Sequence, residues 1–297
     1  MMKARVWTII LPIMLFDQCQ PANNLTQLEQ VVEKMFSSEE GTFAMAFKDL
    51  QTGEELLINA DELFHAASTM KTPVMIEVYR QAAEGKFDLD DSLTVRNQFY
   101  SIVDSSTYSL SASEDSEKSL YDQIGKKKSI ADLLYEMIIV SSNLATNIII
   151  DHVDARKVTE TMNRIGAGDM LVLRGVEDIK AYENGLSNRT SAHALMIIFN
   201  QLATGRVVDE RASEAMIKIL KDQRFRDIIP AQLPDEIVVA HKTGAITGVH
   251  HDSGVIYLPD GRKYVLVLLS KDLEDFEAGT SLLASVSKTI FDYMQGS

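Results

Sequence analysis

Ser68 and Lys71 are the two residues of this sequence best placed to do chemistry together. They stand three residues apart in an apolar stretch, and on a helix residues with this spacing lie on one face, within reach of each other. A serine hydroxyl becomes a good nucleophile when a neighbouring group takes its proton, and an uncharged amine can do so. Apolar neighbours would bury the amine and lower its pKa, because burial disfavours the charged form. This segment therefore predicts a serine nucleophile with a lysine base.

The spacing of Ser68 and Lys71 does not identify a nucleophile by itself. Ser285 and Lys288 have the same spacing in what is predicted to be an ordinary surface helix. A motif this short occurs often by chance, so partners elsewhere have to support it. Two further polar motifs supply them, Ser141-Ser-Asn143 and Lys242-Thr-Gly244, each at the end of an apolar segment.

The added motifs bring groups that acyl transfer requires. Ser141 can relay a proton to a leaving nitrogen. Lys242 adds positive charge, which favours an uncharged Lys71 and attracts a substrate carboxylate. Thr243 offers that carboxylate a hydroxyl, and Gly244 leaves room for a ligand along the strand. The alternative is ordinary local chemistry, because Ser and Asn at helix ends commonly bond the backbone and a lysine at a strand end is commonly solvated.

The composition indicates a large globular chain with an acidic surface. The 297 residues allow one large domain or two small ones, and 45% hydrophobic residues suffice for a full core. The formal net charge of −14 disfavours nucleic acid as a partner, because it repels phosphate backbones. The single cysteine, Cys19, excludes an internal disulfide and a cysteine-based metal site. The six histidines show no His-x-x-x-His spacing, which disfavours a zinc site. Neither a metal nor a cofactor is expected.

The N-terminal residues have the pattern of an export signal. Residues 1–5 are a short basic start and residues 6–16 are an apolar run of eleven, too short for a bilayer, which takes about 20 residues. We predict a signal peptide over residues 1–20 and an exported protein, periplasmic or lipid-anchored. Cys19 is a candidate lipid anchor and the sole expected link to a membrane, although the residues before it are not the small ones that lipidation favours. The alternatives are a membrane-proximal anchor and a buried strand.

Strands are predicted at both ends of the chain and helices between them. The patterns predict a hairpin over 42–60, strands over 237–240, 254–258 and 264–269, and helices over 68–83, 130–140, 144–153, 157–165, 190–202, 209–222 and 277–294. The polar segment 86–128 favours a solvated surface insertion, and 174–188 a functional or disordered loop.

This order of elements predicts an α/β (α+β) fold. An antiparallel sheet built from both chain ends is flanked by helices and carries an inserted all-helical lobe. The predicted domain covers residues 24–297, with a sheet lobe of 24–62 and 207–297 and a helical lobe of 63–206. The cleft between the lobes is the expected place for a site.

The motifs Ser68-Thr-Met-Lys71, Ser141-Ser-Asn143 and Lys242-Thr-Gly244 occur in an order known from one group of enzymes. Class A β-lactamases and penicillin-binding proteins share Ser-x-x-Lys, Ser-Asp-Asn and Lys-Thr-Gly. Over most of its length, the chain resembles the class A β-lactamase family of serine hydrolases. The resemblance implies the β-lactamase-like fold and the opening of β-lactam rings through an acyl-enzyme on Ser68.

The resemblance also implies roles for individual residues. Backbone N–H groups of Ser68 and Ala245 would form the oxyanion hole. Asn143 would hold the side-chain amide of the substrate. Asn147, six residues after Ser141, would contact a glutamate that activates the deacylating water.

The sequence departs from the family's pattern in the second motif and in the long loop. The second motif has Ser142 in place of aspartate, which would alter support of the loop but not the proton relay. The family's loop motif Arg-x-Glu-x-x-Leu-Asn corresponds to residues 174–180, where the glutamate comes one place late and no Asn ends the motif. Glu177 is the candidate for deacylation, with Asp178 and Glu183 as rivals, and a plain loop carboxylate is the alternative.

The third motif lacks the following arginine that binds substrate carboxylate in many family members. Ser253 is the nearest residue, and His250 and His251 are the candidate substitutes. Because a histidine outside a motif seldom has a catalytic role, strand positions without one are favoured for both.

Three functions stay open on the sequence alone. The leading one is a serine β-lactamase whose acyl-enzyme water releases. The closest alternative is a penicillin-binding D-Ala-D-Ala peptidase or related serine esterase that releases β-lactams slowly, and the displaced Glu177 keeps it open. A non-catalytic exported binding module is disfavoured, because the Ser and Lys residues of all three motifs are present. The expected partner is a small β-lactam or D-Ala-type peptide, and a monomer is expected.

Overall fold

A five-stranded antiparallel sheet forms the centre of the computed structural model, which describes residues 25–296. The predicted signal peptide and Cys19 lie outside the described residues. The sheet order is β2-β1-β11-β10-β9, so both ends of the chain supply strands, as predicted. The strands are β1 (Thr42–Asp49), β2 (Glu55–Ile58), β3 (Phe64–His65), β4 (Ser92–Thr94), β5 (Phe99–Tyr100), β6 (Thr107–Tyr108), β7 (Lys127–Ser129), β8 (Arg189–Thr190), β9 (Val238–Ile246), β10 (Val249–Tyr257) and β11 (Lys263–Lys271).

Helices fill the middle of the chain and flank the sheet. They are α1 (Leu25–Phe36), α2 (Lys71–Ala83), α3 (Ile130–Ile139), α4 (Asn143–Val153), α5 (Ala155–Arg164), α6 (Ile179–Glu183), α7 (Ala192–Ala203), α8 (Glu210–Lys221) and α9 (Phe276–Gly296). Side-chain caps define several starts: Ser129 Oγ accepts the Asp132 N–H at 3.0 Å, which confirms the predicted start of α3. Within residues 25–296, no helix is both long and apolar enough to cross a membrane.

The sheet buries both of its faces. Because side chains alternate along a strand, Phe43, Met45 and Phe47 of β1 face one side, where α1 and α9 contribute to the same apolar cluster. Ala44 and Ala46 face the other side and share a second cluster with the helices of the inserted lobe. Burial on both faces explains why β11 is a continuous apolar run without alternation.

The segment 86–128 is not the solvated surface insertion that its composition predicted. Val95, Phe99, Leu110 and Leu120 are buried and belong to the cluster of the helical lobe. The prediction was wrong because single apolar residues, spaced irregularly among many Ser, Asp and Glu, give no periodic signal. The segment packs beside α4 and brings a buried carboxylate to the site.

Candidate active site

Ser68 lies on a tight turn that comes before α2. Residues Ala67–Met70 form a 3₁₀ turn and α2 begins at Lys71, whereas the sequence predicted one continuous helix from Ser68. The N–H of Ala67 donates to Nδ1 of His65 at 3.0 Å, which fixes the entry to the turn. Ser68 is half-buried and lines the cleft between the sheet and the helical lobe.

Strand β9 packs directly against this turn. A Cβ atom at Gly244 would lie 2.9 Å from the nitrogen of Ser68 and 3.0 Å from that of Thr69, so the approach requires glycine. Gly244 was expected to make room for a ligand. In the structure it also makes room for the backbone of the 3₁₀ turn that carries Ser68. Thr243, Gly244 and Ala245 all line the cleft beside Ser68.

Three side chains from distant motifs meet at one point. Lys71 Nζ donates to Ser141 Oγ (3.1 Å), to the Ser141 carbonyl (2.7 Å) and to Asn143 Oδ1 (2.9 Å). Lys242 Nζ donates to the same Ser141 Oγ (3.1 Å) and to the Thr243 carbonyl (2.8 Å). Since Ser141 Oγ accepts from both lysines, its own hydrogen is left for a third partner. Ser141 is therefore placed to donate a proton into the cleft.

Among residues 25–296, the hydrogen-bond partners of Lys71 Nζ are Ser141 and Asn143, and Ser68 is not one of them. Hydrogen bonds between a nucleophile and its base are often long before substrate binds and tighten in the complex. The spacing of the motif still places Ser68 and Lys71 on consecutive turns of one helical segment.

Burial changes the acid–base behaviour of both lysines. Lys71 and Lys242 have 0% exposure. Burial lowers the pKa of Lys71 to about 7, although the charges of Asp115 and Glu177 oppose this effect. Burial and the like charge of Lys71 hold the pKa of Lys242 well below its ordinary value. Lys71 can therefore be uncharged near neutral pH, as a base for Ser68 must be.

Glu177 faces the cleft from the loop on the opposite side. Its Oε1 accepts from Asn143 Nδ2 at 3.0 Å, and Asn143 Oδ1 accepts from Lys71 at 2.9 Å. Burial raises the pKa of the half-buried Glu177, and the hydrogen bond from Asn143 opposes this. Glu177 and Ser68 line the same cavity. A carboxylate with a raised pKa near a nucleophile suits a general base.

The two rival carboxylates of the loop are placed differently. Asp178 is 2% exposed, and both of its oxygens are engaged by backbone: Oδ1 accepts the Ala181 N–H (3.1 Å) and Oδ2 the Ile102 N–H (2.9 Å). Glu183 is exposed at the last position of α6. These contacts favour Glu177 as the carboxylate that acts on a substrate.

Asn147 contacts the backbone next to Glu177 rather than its carboxylate. Its Nδ2 donates to the Val176 carbonyl (3.0 Å) and its Oδ1 accepts the Val176 N–H (2.6 Å). A Cβ atom at Gly175 would lie 2.3 Å from Asn147 Oδ1, so the loop can approach this closely only with glycine there. The resemblance implied a direct contact with the glutamate, and the structure instead shows a clamp on the preceding residue.

Three non-glycine residues of the site have a strained backbone. Ala67, Ser141 and Glu177 have φ values of 44°, 58° and 61°, in the left-handed region that favours glycine. Each such residue costs on the order of 1 kcal/mol and persists where the surroundings hold it. The nucleophile's turn, the proton donor and the loop carboxylate are therefore all held in place by their neighbours.

Asp115 is a residue of the site that the sequence analysis missed. It is 3% exposed, and its carboxylate accepts the N–H groups of Asn143 (3.0 Å) and Leu144 (2.8 Å) and the hydroxyl of Tyr121 (3.0 Å). Ser142, found where the family has aspartate, caps α4 by accepting the Ala145 N–H at 3.2 Å. The carboxylate that the second motif lacks is thus supplied from the segment 86–128.

We expect Asp115→Ala to lower the free energy of unfolding by about 3 kcal/mol, because the buried N–H groups of Asn143 and Leu144 lose a charged acceptor. Unfolding in urea measures the change. Asp122→Ala is the matched control, since Asp122 is exposed on the same segment and should cost about 0.5 kcal/mol or less. Equal losses in the two variants would contradict the capping role.

Two cavities meet at Ser68. The first, of 330 Å³, extends toward the loop and includes Glu177 and Tyr182. The second, of 320 Å³, extends toward β10 and α9. Ser68, Asn143 and Ala245 line both, whereas Ser141 and Thr243 line only the second. We call the first the loop-side cavity. We call the second the ring-side cavity, after the aromatic rings of Phe225 and Phe276 that line it.

The residues considered as substitutes for the missing arginine have different surroundings in the structure. His250 lines the ring-side cavity. His251 does not line it, and its Nε2 donates to the His65 carbonyl (2.9 Å). Burial lowers the pKa of His251 to about 4, so this imidazole is uncharged near neutral pH. Ser253 is buried and its Oγ donates to the Lys242 carbonyl at 3.4 Å. Among residues 25–296, no group of three or more His, Cys, Asp or Glu side chains could hold a metal ion.

Comparison with known proteins identifies the family. The model of the beta-lactamase enzyme family matches residues 27–294. The chain belongs to the beta-lactamase family. Extended-spectrum beta-lactamase PER-1 of Pseudomonas aeruginosa is 24% identical, over 98% of this chain and 95% of PER-1. A beta-lactamase of Bacteroides uniformis is also 24% identical, over 92% of this chain and 93% of its own length.

Solved structures support the beta-lactamase fold. The structure of PBP-A has a TM-score of 0.79 at 24% identity, and the match covers 92% of this chain and 97% of PBP-A. The predicted fold class, an antiparallel sheet with an inserted helical lobe, is therefore confirmed. The boundaries between the two lobes of this beta-lactamase-family protein stay a prediction.

Proposed function

We propose that this protein is a serine β-lactamase, which opens the β-lactam ring through an acyl-enzyme on Ser68 and releases the product with water. The observation that carries the proposal is Ser141 Oγ, which lies 3.1 Å from Nζ of both Lys71 and Lys242. The reaction must deprotonate a hydroxyl and protonate a leaving nitrogen, and this arrangement can move one proton between the two places.

Acylation uses the residues around the nucleophile. The Ser68 hydroxyl attacks the ring carbonyl as its proton passes to uncharged Lys71. Negative charge forms on the carbonyl oxygen, where the N–H groups of Ser68 and Ala245 stabilise it. The C–N bond then breaks, the ring nitrogen takes the proton of Ser141 Oγ, and Ser141 regains one from Lys71.

The substrate's orientation follows from these roles. The ring nitrogen must face Ser141, so the ring carboxylate beside it lies near Lys242 and Thr243, in the ring-side cavity. The acyl side chain points the other way, into the loop-side cavity, with its amide against Asn143.

Deacylation is assigned to Glu177. Its carboxylate takes a proton from a water molecule, and the resulting hydroxide attacks the ester carbonyl of the acyl-enzyme. The ester bond breaks, Glu177 gives up the proton to the Ser68 oxygen, and the ring-opened acid leaves. Support comes from the hydrogen bond between Glu177 and Asn143, which holds the carboxylate in the cleft.

We expect acylation to speed up with rising pH through about 7 and to level off above it, because only uncharged Lys71 can take the Ser68 proton. The pH profile of kcat/KM for benzylpenicillin measures this. Lys71→Arg should lower kcat/KM by a factor of about 10³ or more, since a guanidinium stays charged. A flat profile across pH 7, or an active Lys71→Arg variant, would contradict the assignment.

Turnover of a chromogenic cephalosporin tests the function itself. Sustained hydrolysis supports the β-lactamase. A single burst followed by lasting acylation of Ser68 would favour the peptidase alternative, which the curated relatives, named as beta-lactamases, do not favour. If no β-lactam labels Ser68, the non-catalytic binding module is the one function of the three that still stands.

A further inference from the structure

Two acidic and two aromatic side chains are among the residues that line the ring-side cavity, and no lysine or arginine of residues 25–296 lines it. Lys242 lies directly behind this lining, where its Nζ donates to Ser141 Oγ and to the Thr243 carbonyl. Glu114 and Asp227 are exposed carboxylates on its wall, and among the described residues neither forms an ion pair with a lysine or arginine. Phe225 and Phe276 also line it, with 39% and 37% of their surface exposed. Two carboxylates beside two open aromatic rings form a surface that attracts cations.

His250 supplies an independent indication of what this cavity binds. The hydroxyl of Thr280 donates to the Phe276 carbonyl (2.7 Å), so at 2.7 Å from His250 Nδ1 it must accept the ring's hydrogen. In the neutral ring, Nε2 then carries only a lone pair. His250 is 3% exposed, and Nε2 lies 3.4 Å from a carboxylate oxygen of Asp227. Two acceptors therefore face each other at the cavity wall.

An imidazolium could satisfy this pair, but the surroundings of His250 oppose it. Burial lowers its pKa, although the charges of Asp227, Asp252 and Glu277 act in the opposite sense. Phe276 stacks on the imidazole, with ring centroids 4.6 Å apart, and contributes to this burial. With His250 neutral, the lone pair of Nε2 and the Asp227 carboxylate are both available to a positively charged group.

We propose that the ring-side cavity selects β-lactams that carry a cationic group, a quaternary ammonium or pyridinium, on the ring fused to the β-lactam. The inference rests on the proposed β-lactamase function, which places the ring carboxylate and its neighbouring substituent in this cavity. The cation lies between the two carboxylates and against Phe225 and Phe276. Lys242 and Thr243 hold the ring carboxylate. A substrate that carries this carboxylate and a cationic group therefore finds a partner of opposite charge for each.

The contacts with the cation are remote from the reacting carbonyl. They hold the bound substrate and the transition state equally, so the preference should appear mainly in KM and thus in kcat/KM. Because Glu114 and Asp227 are exposed, added salt should weaken it.

Cephaloridine and cephalothin test the proposal. They share a thienylacetyl side chain and differ on the ring, with pyridiniomethyl against acetoxymethyl. The ratio of their kcat/KM values is measured for the wild type, for Glu114→Gln, for Asp227→Asn and for the double variant. Differences in intrinsic reactivity cancel when ratios are compared between proteins, and the single variants keep the test valid if the double variant folds poorly.

We expect the ratio to fall about tenfold in the double variant, toward the value that reactivity alone gives, and to fall in the wild type on addition of 1 M salt. Glu39→Gln, an exposed carboxylate that lines neither cavity, should leave the ratio unchanged. An unchanged ratio in both single variants and the double variant, with both compounds hydrolysed, overturns the proposal and leaves the β-lactamase function standing. If the wild type hydrolyses neither compound, both fail.

Discussion

Ser68→Ala is expected to abolish covalent labelling by benzylpenicillin and to lower β-lactam hydrolysis by a factor of about 10⁴ or more, since no other group forms the ester. The free energy of unfolding should stay within about 0.5 kcal/mol, because the side chain is half-buried and loses a single oxygen. Intact-protein mass spectrometry detects the label, and urea unfolding measures the stability.

The chain contains a matched control for this substitution. Ser285 and Lys288 repeat the Ser-x-x-Lys spacing on α9, but Ser285 Oγ donates to the Ser281 carbonyl (2.9 Å) and Lys288 pairs with Asp292 (2.6 Å). Ser285→Ala should label and hydrolyse like the wild type. Labelling that persists in Ser68→Ala would place the nucleophile elsewhere.

Glu177→Gln should leave acylation largely intact and slow deacylation by a factor of about 10² to 10⁴, so that the acyl-enzyme accumulates. The amide keeps the size of the side chain and a hydrogen-bond contact with Asn143, but it cannot take a proton from water. Single-turnover kinetics with benzylpenicillin separate the two rates, and mass spectrometry shows the accumulated adduct.

Glu183→Gln is the control from the same loop, since Glu183 is exposed and does not line the loop-side cavity. It should release product at the wild-type rate. Asp178→Asn has a different expected result, a loss of loop stability, because both carboxylate oxygens of Asp178 accept backbone N–H groups. Unchanged deacylation in Glu177→Gln would refute its role as the base.

The parts of the site that the sequence predicted are those with a local signal. Ser68 and Lys71 are linked by helical spacing, and Lys242, Thr243 and Gly244 follow one another on a single strand, β9. The sheet was predictable because β1 and β11 are buried on both faces and read as continuous apolar runs. The Ser129 cap was readable because its partner is three residues away.

The parts that were missed depend on contacts between distant residues. Asp115 caps α4 from 28 residues away, and neighbouring carboxylates such as Glu114 and Glu117 gave the same signal in the sequence. Asn147 was tied to Glu177 by resemblance, yet the displaced glutamate puts Val176 at the clamped position. Register in a loop cannot be read from composition, because it is decided by which backbone groups find partners.

Rapid-quench mass spectrometry of the wild-type protein with benzylpenicillin tests the central claim most directly. We expect one penicilloyl group on the peptide that contains Ser68, which forms faster as pH rises through about 7 and decays as ring-opened product appears over many turnovers. Product that forms without an adduct on this peptide, or an adduct on any other residue, would contradict the account.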